Sequence, residues 1–383
     1  MINADVREIG ANLNNSFKPS FNLKAVTNWS QLTPFEFWKE LGNPKYVCAP
    51  MVDQSELAFR IICRKYGTDL TYTPMIHSVL FATQEKYRAQ HLKDISLEEQ
   101  PCFLQFCGHD PEMLLRSAKI VEDKTPCFDL NLGCPQGIAK RGYYGSFLLE
   151  NTDLVLKILG YLSNNLKCGV SCKIRLFPDL SRTFDLVENL EKTGIKVLAV
   201  HGRTKEQNKE STGNADWKAI RKIKSILNIP VIANGGIECY EDVRRCFDAT
   251  NCDAVMSAEK LLENPFFFSG INHNIDDVAL EYLEIAKELN TDINQVRSHL
   301  YKLYYHACKL DMSYNHKLGI TNTHDDFIAL GEEIKEFRKN IPNEDKFGWY
   351  KRYRNSVANL KETNDKEQTC TEEFIYDFNS MFG

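Results

Sequence analysis

Eight short apolar runs recur along residues 46–258, and this repetition limits the possible folds more than any other feature of the sequence. Each run is rich in Val, Ile, Cys or Phe and is followed by a polar turn and a longer amphipathic stretch. The runs are YVCAPM (46–51), LTYTPM (70–75), CFLQFC (102–107), CFDLNL (127–132), VSCKIRL (170–176), VLAVHG (197–202), PVIANG (230–235) and DAVMSA (253–258). Their starts are far enough apart for a helix between consecutive parallel strands, so they predict a closed (β/α)8 TIM barrel of the α/β class. Runs this short could also be segments of buried helices.

The apolar spacing becomes helical after residues 264–270. Two long stretches, 276–289 and 293–310, predict a C-terminal all-helical domain. We expect an N-terminal arm over 1–40 with a helix at 34–41, a catalytic barrel over 41–272, and a helical domain with an acidic tail over 273–383. A chain of 383 residues is long enough for a barrel of about 250 residues and a second domain.

Composition excludes several classes of protein. Hydrophobic residues make up 43% and charged residues 26%, as in ordinary globular chains. The N-terminus has no apolar leader and no apolar run approaches the roughly 18 residues that span a bilayer, so we expect no membrane partner and a cytoplasmic or nuclear address. Thirteen cysteines without a C-x-x-C pair predict reduced thiols and no metal site.

Polar and reactive residues stand where the predicted strands end, and barrel enzymes place their active sites at that face. These residues are Pro50, Met51, Gln105, Asn131, Lys173, Arg175, His201 and Arg203. Lys173 and His201 together suit a flavin, whose pyrimidine edge needs cationic donors. Taken singly, Lys173 could be a buried ion-pair partner and His201 a satisfied core histidine.

A phosphate site is expected at the ends of the seventh and eighth runs. Asn234, Gly235 and Gly236 follow one run, while Ala258 and Glu259 follow the other. Glycines let backbone N–H groups approach an anion, and loops after strands seven and eight commonly bind phosphate in this fold. A plain turn is the alternative explanation of the glycine pair.

Cys134 is the most informative single residue. It lies between Gly133 and Pro135 beyond the fourth run, on a loop that also carries Lys140. A thiol on a loop above a flavin is placed to deliver a proton, whereas a structural cysteine is more often inside an apolar run, as Cys48 is.

The same segments carry a family resemblance over about residues 45–270. They are APMVDQSELAFR (49–60), YTPM (72–75), QFCGHDP (105–111), DLNLGCPQGIAKRGYYGSFL (129–148), CKIRLFP (172–178), HGRTKEQ (201–207), IANGGI (232–237) and MSAEKLLENP (256–265). In this order the sequence resembles the tRNA-dihydrouridine synthases, and the fourth segment is most similar to the eukaryotic branch that modifies uridines 16 and 17 of the D-loop.

The resemblance implies a non-covalent FMN, NADPH as reductant and tRNA as substrate. NADPH would reduce the flavin and leave; the reduced flavin would then give hydride to uridine C6 and Cys134 would protonate C5. The implied flavin contacts are Pro50, Met51, Gln105, Lys173, His201, Asn234, Gly235, Gly236, Ala258 and Glu259. Asn131, Lys140, Arg175 and Arg203 are expected to hold the flipped nucleotide. No obligatory protein partner is implied.

The sequence departs from the family pattern at two positions. The branch usually has Asn at position 236 and Gly at position 260, where this chain has Gly236 and Lys260. The first change is harmless to a backbone phosphate loop. The second leaves open whether Lys260 touches the phosphate or points away.

Net charge is −5, so contact with RNA requires a local patch. Residues 335–354 hold seven Lys/Arg against three Asp/Glu with five interleaved aromatics, which favours RNA binding; a solvated helix with aromatics in the core is the alternative. Two rival functions remain at this point: a small-molecule flavin oxidoreductase of the dihydroorotate dehydrogenase type, and an RNA-binding protein that has lost its chemistry.

Overall fold

A computed structural model describes residues 28–208 and 211–349, together with Leu23 and Val26. Nine strands in this part of the chain form one parallel sheet. They are β1 (Tyr46–Cys48), β2 (Thr71–Tyr72), β3 (Ile76–His77), β4 (Cys102–Cys107), β5 (Cys127–Leu132), β6 (Gly169–Arg175), β7 (Val197–His201), β8 (Val231–Asn234) and β9 (Ala254–Ser257). Eight of them follow one another in the order β1-β9-β8-β7-β6-β5-β4-β2, and β3 pairs with β4 beside this path.

The sheet closes into the predicted barrel. β1 pairs with β9, and a parallel bridge between Val47 and Leu70 joins β1 to the start of the second run. That second run is divided: β2 ends at Tyr72, and the short β3 pairs with β4 further along. Eight strand positions therefore surround the barrel, which confirms the (β/α)8 prediction.

Helices cover the outside of the barrel. They are α1 (Pro34–Glu40), α2 (Leu57–Lys65), α3 (Ser78–Thr83), α4 (Glu85–Leu92), α5 (Pro111–Val121), α6 (Gly137–Gly142), α7 (Ser146–Leu149), α8 (Thr152–Asn165), α9 (Leu180–Lys192), α10 (Trp217–Ile226), α11 (Tyr240–Thr250) and α12 (Glu259–Glu263). Local sequence explains their starts. The Asp110 side chain caps α5 by accepting from the N–H groups of Glu112 and Met113, and Pro111 occupies the first turn.

The strands alternate between two environments, and this alternation determines where the site lies. Leu104 and Phe106 of β4 face the surrounding helices, whereas Phe103 and Gln105 face the barrel interior. The end of the barrel nearest α1 is apolar, since the buried Phe37 ring lies 6.1 Å from the Phe103 ring. Polar interior side chains are therefore concentrated toward the carboxyl ends of the strands.

The chain after Gly270 is helical, as expected. It contains α13 (Ile275–Glu288), α14 (Ile293–Leu303), α15 (Tyr305–Leu310), α16 (Met312–Ile320) and α17 (His324–Phe337). A buried polar contact joins it to the barrel: Glu56, just before α2, accepts a hydrogen bond from Tyr282 (3.0 Å) and pairs with His299 (2.9 Å). The boundary at 272/273 stays a prediction, and the acidic tail lies outside the described residues.

Three further features concern the described part of the chain. None of its helices has the length and apolar content needed to cross a bilayer. It contains no group of three or more His, Cys, Asp or Glu side chains that could hold a metal ion. Its twelve cysteines are free thiols.

Candidate active site

A chain of hydrogen bonds crosses the barrel interior between β6 and the loop after β5. Ser171 Oγ and Gln105 Nε2 donate to the two oxygens of Asp129, across 2.6 Å and 2.8 Å. Asn131 Nδ2 donates to Gln105 Oε1 (2.7 Å), and Asn131 Oδ1 accepts from the N–H of Cys134 (3.0 Å). Parallel register makes this possible, because β4, β5 and β6 align Gln105, Asp129 and Ser171 side by side.

The loop that carries Cys134 is held from both ends. The carbonyl of Cys134 accepts hydrogen bonds from the N–H and the hydroxyl of Ser146, each at 3.0 Å. Gly145 is required beside it: its φ is +62°, and an added Cβ would lie 2.6 Å from the Cys134 oxygen. Burial raises the pKa of the Cys134 thiol, so the thiol is protonated at neutral pH. The structure therefore places a neutral, half-buried thiol at the barrel rim.

Lys173 lies in register with Asn131 on the neighbouring strand. Within the described residues its ammonium makes no direct hydrogen bond or ion pair, and the charge of Asp129 acts on it from a greater distance. Burial, with a smaller contribution from the charge of Arg175, lowers the pKa of Lys173 to about 7, and Asp129 opposes this shift. A half-buried ammonium at the end of a barrel strand fits a ligand with an electron-rich ring edge.

His201 differs from the expectation. Arg203 Nη1 lies 3.0 Å from His201 Nε2, and because a guanidinium only donates, Nε2 accepts and Nδ1 carries the proton. Burial and the charges of Lys173, Arg175 and Arg203 hold the pKa of His201 well below its usual value. The expectation of a cationic His201 is wrong in this geometry, since the ring contributes a neutral N–H donor and the charge belongs to its neighbours.

The turn after β8 carries the glycine pair of the predicted phosphate site. Gly235 and Gly236 have φ of +101° and +78°, and the Trp217 indole donates to the Gly235 carbonyl (3.0 Å). The Asn234 amide donates to the Met256 carbonyl (3.0 Å), which fixes the turn against β9. Within the described residues the N–H groups of Gly235, Gly236 and Ala258 donate no hydrogen bond. Free N–H groups beside glycines fit a phosphate; α12 has only five residues and adds little field.

The remaining residues of the predicted cofactor set lie around this face. Pro50 and Met51 follow β1, where the Met51 N–H donates to Ser55 Oγ (3.0 Å), and Glu259 begins α12. Lys260 points away: its ammonium lies 2.7 Å from Glu263 and 5.6 Å from the Phe347 ring. The side chain of Lys260 is therefore engaged with the C-terminal segment.

The four residues predicted to hold the nucleotide differ in how far their side chains are already engaged within the protein. Arg175 connects two loops, because it donates to the carbonyl of Gly133 (2.9 Å) after β5 and to those of Thr204 (2.8 Å) and Gln207 (3.1 Å) after β7. Arg203 holds His201 and the Gly213 carbonyl (3.0 Å). Lys140 is exposed on α6, and Asn131 is buried in the hydrogen-bonded chain. A role for these four in holding the nucleotide stays a prediction.

Two of the seven basic residues in the segment 335–354 are not available to RNA, whereas the side chains of Lys335 and Lys339 are open to solvent. Arg338 and Lys346 are buried and both pair with Asp276. Lys335 pairs with Asp277 at 3.0 Å. Phe347 and Trp349 pack against the core; residues 350–354 lie outside the described residues. The alternative explanation is therefore correct for Arg338 and Lys346, which cannot reach a phosphate.

Sequence reasoning missed three residues. Asp129 and Ser171 occupy inward positions of the fourth and fifth runs, and the period of two between Asp129 and Asn131 could have revealed the first. Glu56 has no local signal, because its partners are more than 220 residues away along the chain.

The similarity to known proteins extends beyond the barrel. The family model described as dihydrouridine synthase (Dus) matches residues 47–372. A mouse protein named tRNA-dihydrouridine(16/17) synthase [NAD(P)(+)]-like is 41% identical over 307 residues, 80% of this chain and 65% of that protein. A fission yeast tRNA-dihydrouridine(16/17) synthase is 40% identical, with 80% of each chain covered. A human tRNA-dihydrouridine(20a/20b) synthase-like protein is 37% identical over 68% of this chain and 81% of its own length.

The structural likenesses are weaker. The structure of histamine dehydrogenase from Rhizobium matches with a TM-score of 0.48 and 10% identity, over 63% of this chain and 49% of that one. A likeness at this level supports no argument about function. The family match, in contrast, covers most of the sequence and includes every residue of the rim described above from Pro50 to Glu259. The chain therefore belongs to the dihydrouridine synthase family.

Proposed function

We propose that this protein reduces uridine to 5,6-dihydrouridine in tRNA, with FMN as the bound flavin and NADPH as reductant. The observation that carries the proposal is the neutral thiol of Cys134, fixed at the rim of a barrel whose interior presents Lys173. Family membership independently connects this arrangement with dihydrouridine synthesis. An address in the cytoplasm or nucleus is part of the same proposal.

The residues present fit the cofactor. Gly235, Gly236 and Ala258 would hold its phosphate through free N–H groups, and Lys173 with the Nδ1–H of His201 would face the pyrimidine edge. One short glycine cradle suits the single phosphate of FMN rather than a dinucleotide. The bound flavin, once reduced by NADPH, supplies hydride to C6 of the uracil ring.

Cys134 completes the reaction. Its pKa is raised by burial, so the sulfur holds a proton at neutral pH and can give it to C5 of the base. Arg175 keeps the loop in place by binding the Gly133 carbonyl. Lys173 supplies a cation that stabilises negative charge inside the barrel, although its pKa of about 7 leaves part of the population neutral.

We propose positions 16 and 17 of the D-loop as the target. Support comes from the relatives: the proteins named for positions 16/17 are 40% to 43% identical to this chain, against 37% or less for the 20a/20b proteins. A base of the D-loop is weakly paired, so extruding it costs only a few kcal/mol.

The test begins with the visible spectrum of the purified full chain and mass analysis of any released flavin. Reduction by NADPH and by NADH is then compared under anaerobic conditions, and reoxidation is started with unmodified tRNA transcripts. Dihydrouridine should form in a transcript with uridine at 16 and 17. A matched transcript with cytidine at both positions is the control; equal product from the control would overturn the positional assignment.

The same experiments separate the rival functions. Reoxidation by free orotate but not by tRNA would favour the dihydroorotate dehydrogenase type of enzyme. A protein that binds tRNA but no flavin would be an RNA-binding protein without chemistry. The family match and the intact Cys134 and Lys173 argue against both.

A further inference from the structure

A carboxylate to which the proposed reaction assigns no role is buried in the barrel. The side chain of Asp129 is fully buried at mid-strand in β5. Its two oxygens accept from Ser171 (2.6 Å) and Gln105 (2.8 Å). A carboxyl group inside an apolar core is costly, and burial raises the pKa of Asp129 to about 6. Such a group needs a physical explanation.

The direction of the hydrogen bonds supplies one. An ionised carboxylate only accepts, so Gln105 must turn its NH2 toward Asp129 and its oxygen toward Asn131. Asn131 must then present its NH2 to Gln105 and its oxygen to the loop. At the other end, the backbone N–H groups of Gly133 and Cys134 can only donate, and they lie 3.2 Å and 3.0 Å from Asn131 Oδ1.

Each end of this hydrogen-bonded series therefore allows only one orientation of the Gln105 and Asn131 side-chain amides. If either amide turned over, two donors or two acceptors would face each other inside the buried interior of the barrel. Asp129 defines the accepting end, two residues before Asn131 and five before the thiol. The carboxylate also opposes the lowering of the Lys173 pKa, so it acts on both sides of the rim.

We propose that Asp129 is a positioning residue, which holds the Cys134 loop in its proton-delivering conformation through Gln105 and Asn131. The inference deepens the proposed function, since the importance of the loop rests on Cys134 being the acid. The hydrogen-bonded chain itself is independent of the substrate and can be tested without it.

Hydrogen exchange of the flavin-free full chain, measured by mass spectrometry with fragmentation across residues 130–136, is the first test. Asp129→Ala should speed exchange of the Gly133 and Cys134 amides by about tenfold or more, the effect of losing one buried hydrogen bond. Asp129→Asn should change it by less than about threefold, because its carbonyl oxygen can still accept from Gln105. Unchanged exchange in Asp129→Ala would overturn the proposal.

Two further variants separate positioning from general destabilisation. Asp276→Ala removes an equally buried aspartate, the partner of Lys346 in the helical segment, and should leave the Gly133 and Cys134 amides protected. Gln105→Met interrupts the chain with Asp129 intact and should give fast exchange even where Asp129→Ala fails to fold. Fast exchange in Asp276→Ala, or slow exchange in Gln105→Met, would contradict the proposal.

The chemical consequence is measured last. Alkylation of Cys134 by iodoacetamide, followed on its peptide in flavin-free protein, should change in rate in Asp129→Ala and recover in Asp129→Asn. In the loaded enzyme, reduction by NADPH should be near normal in Asp129→Asn. If wild type never acts on tRNA while these exchange and alkylation results hold, the proposed function fails and the positioning role stands.

Discussion

Gly235→Ala tests the turn after β8 with a magnitude that the structure sets. The φ of Gly235 is +101°, and a side chain in that conformation costs on the order of 1–3 kcal/mol. An added Cβ would lie 2.8 Å from His201 Cδ2 and 3.1 Å from Arg203 Nη1. Carbon atoms pack best at about 3.5–4.0 Å, so His201 must move by roughly 0.7 Å or more. That displacement would break the 3.0 Å hydrogen bond between His201 and Arg203.

The assay measures flavin affinity and stability separately. We expect the Kd for FMN, from flavin fluorescence during titration of the flavin-free protein, to rise by about tenfold or more, equivalent to roughly 1.4 kcal/mol. Urea unfolding should show a loss of about 1–3 kcal/mol. Gly42→Ala is the matched control, because its φ is +87° and no atom lies within 4 Å of the added Cβ. It should lose stability yet bind FMN normally.

The result that refutes this reasoning is an unchanged FMN Kd in Gly235→Ala with the same loss of stability as Gly42→Ala. The turn would then be a structural element only. Gly236→Asn gives a second comparison, since asparagine tolerates positive φ and an added Cβ there meets nothing closer than 3.4 Å. This variant should bind FMN like wild type.

Four other outcomes are expected. Cys134→Ala should be reduced by NADPH normally yet form dihydrouridine about 10²- to 10⁴-fold more slowly, and Cys134→Ser should recover little; reoxidation by tRNA at the wild-type rate would exclude Cys134 as the acid. Lys173→Ala should loosen FMN or slow its reduction, whereas normal flavin retention and NADPH oxidation would make Lys173 structural. Glu56→Gln should lower the free energy of unfolding in urea by about 3 kcal/mol, whereas Glu336→Gln, at an exposed ion pair, should not change it measurably. Asp129→Asn should gain stability relative to wild type as the pH rises from 4 to 7. The wild-type carboxyl has a pKa of about 6 in the folded state and about 3.8 in the unfolded state, so its ionisation costs the folded state roughly 3 kcal/mol. Parallel curves of unfolding free energy against pH for the two proteins would contradict this.

The barrel could be predicted because its signals are local. Each strand is a short apolar run, and the carboxyl-end rule then brings residues as distant as Gln105 and His201 to one face. The division of the second run into β2 and β3 could not be predicted, because it depends on the pairing with β4 further along the chain. The same holds for the three-residue length of β1.

Charges that the sequence suggested but the structure does not make available have one physical cause. Counting Lys and Arg over residues 335–354 gives a basic segment, but Arg338 and Lys346 point to Asp276, which is 62 and 70 residues earlier in the chain. Whether a cation is available to RNA depends on its tertiary partner. The lowered pKa of His201 likewise depends on burial and on three cations that the fold brings together, so the residue type alone could not reveal it.

The interior of this barrel buries polar side chains, which costs stability and which packing alone does not explain. Part of the interior is apolar, with Phe103, Val197 and Met256 in one cluster, as barrel interiors usually are. Gln105, Asp129 and Ser171 lie in register on neighbouring strands and are buried, in a place where aliphatic side chains would need no hydrogen-bond partners. Burial of an ionised carboxylate destabilises the fold. In return, each oxygen of Asp129 accepts a hydrogen bond, and the side-chain amides of Gln105 and Asn131 each have a single allowed orientation. The chain therefore contains a rigid polar connection from the middle of the barrel to the thiol, which an apolar layer of the same volume could not provide.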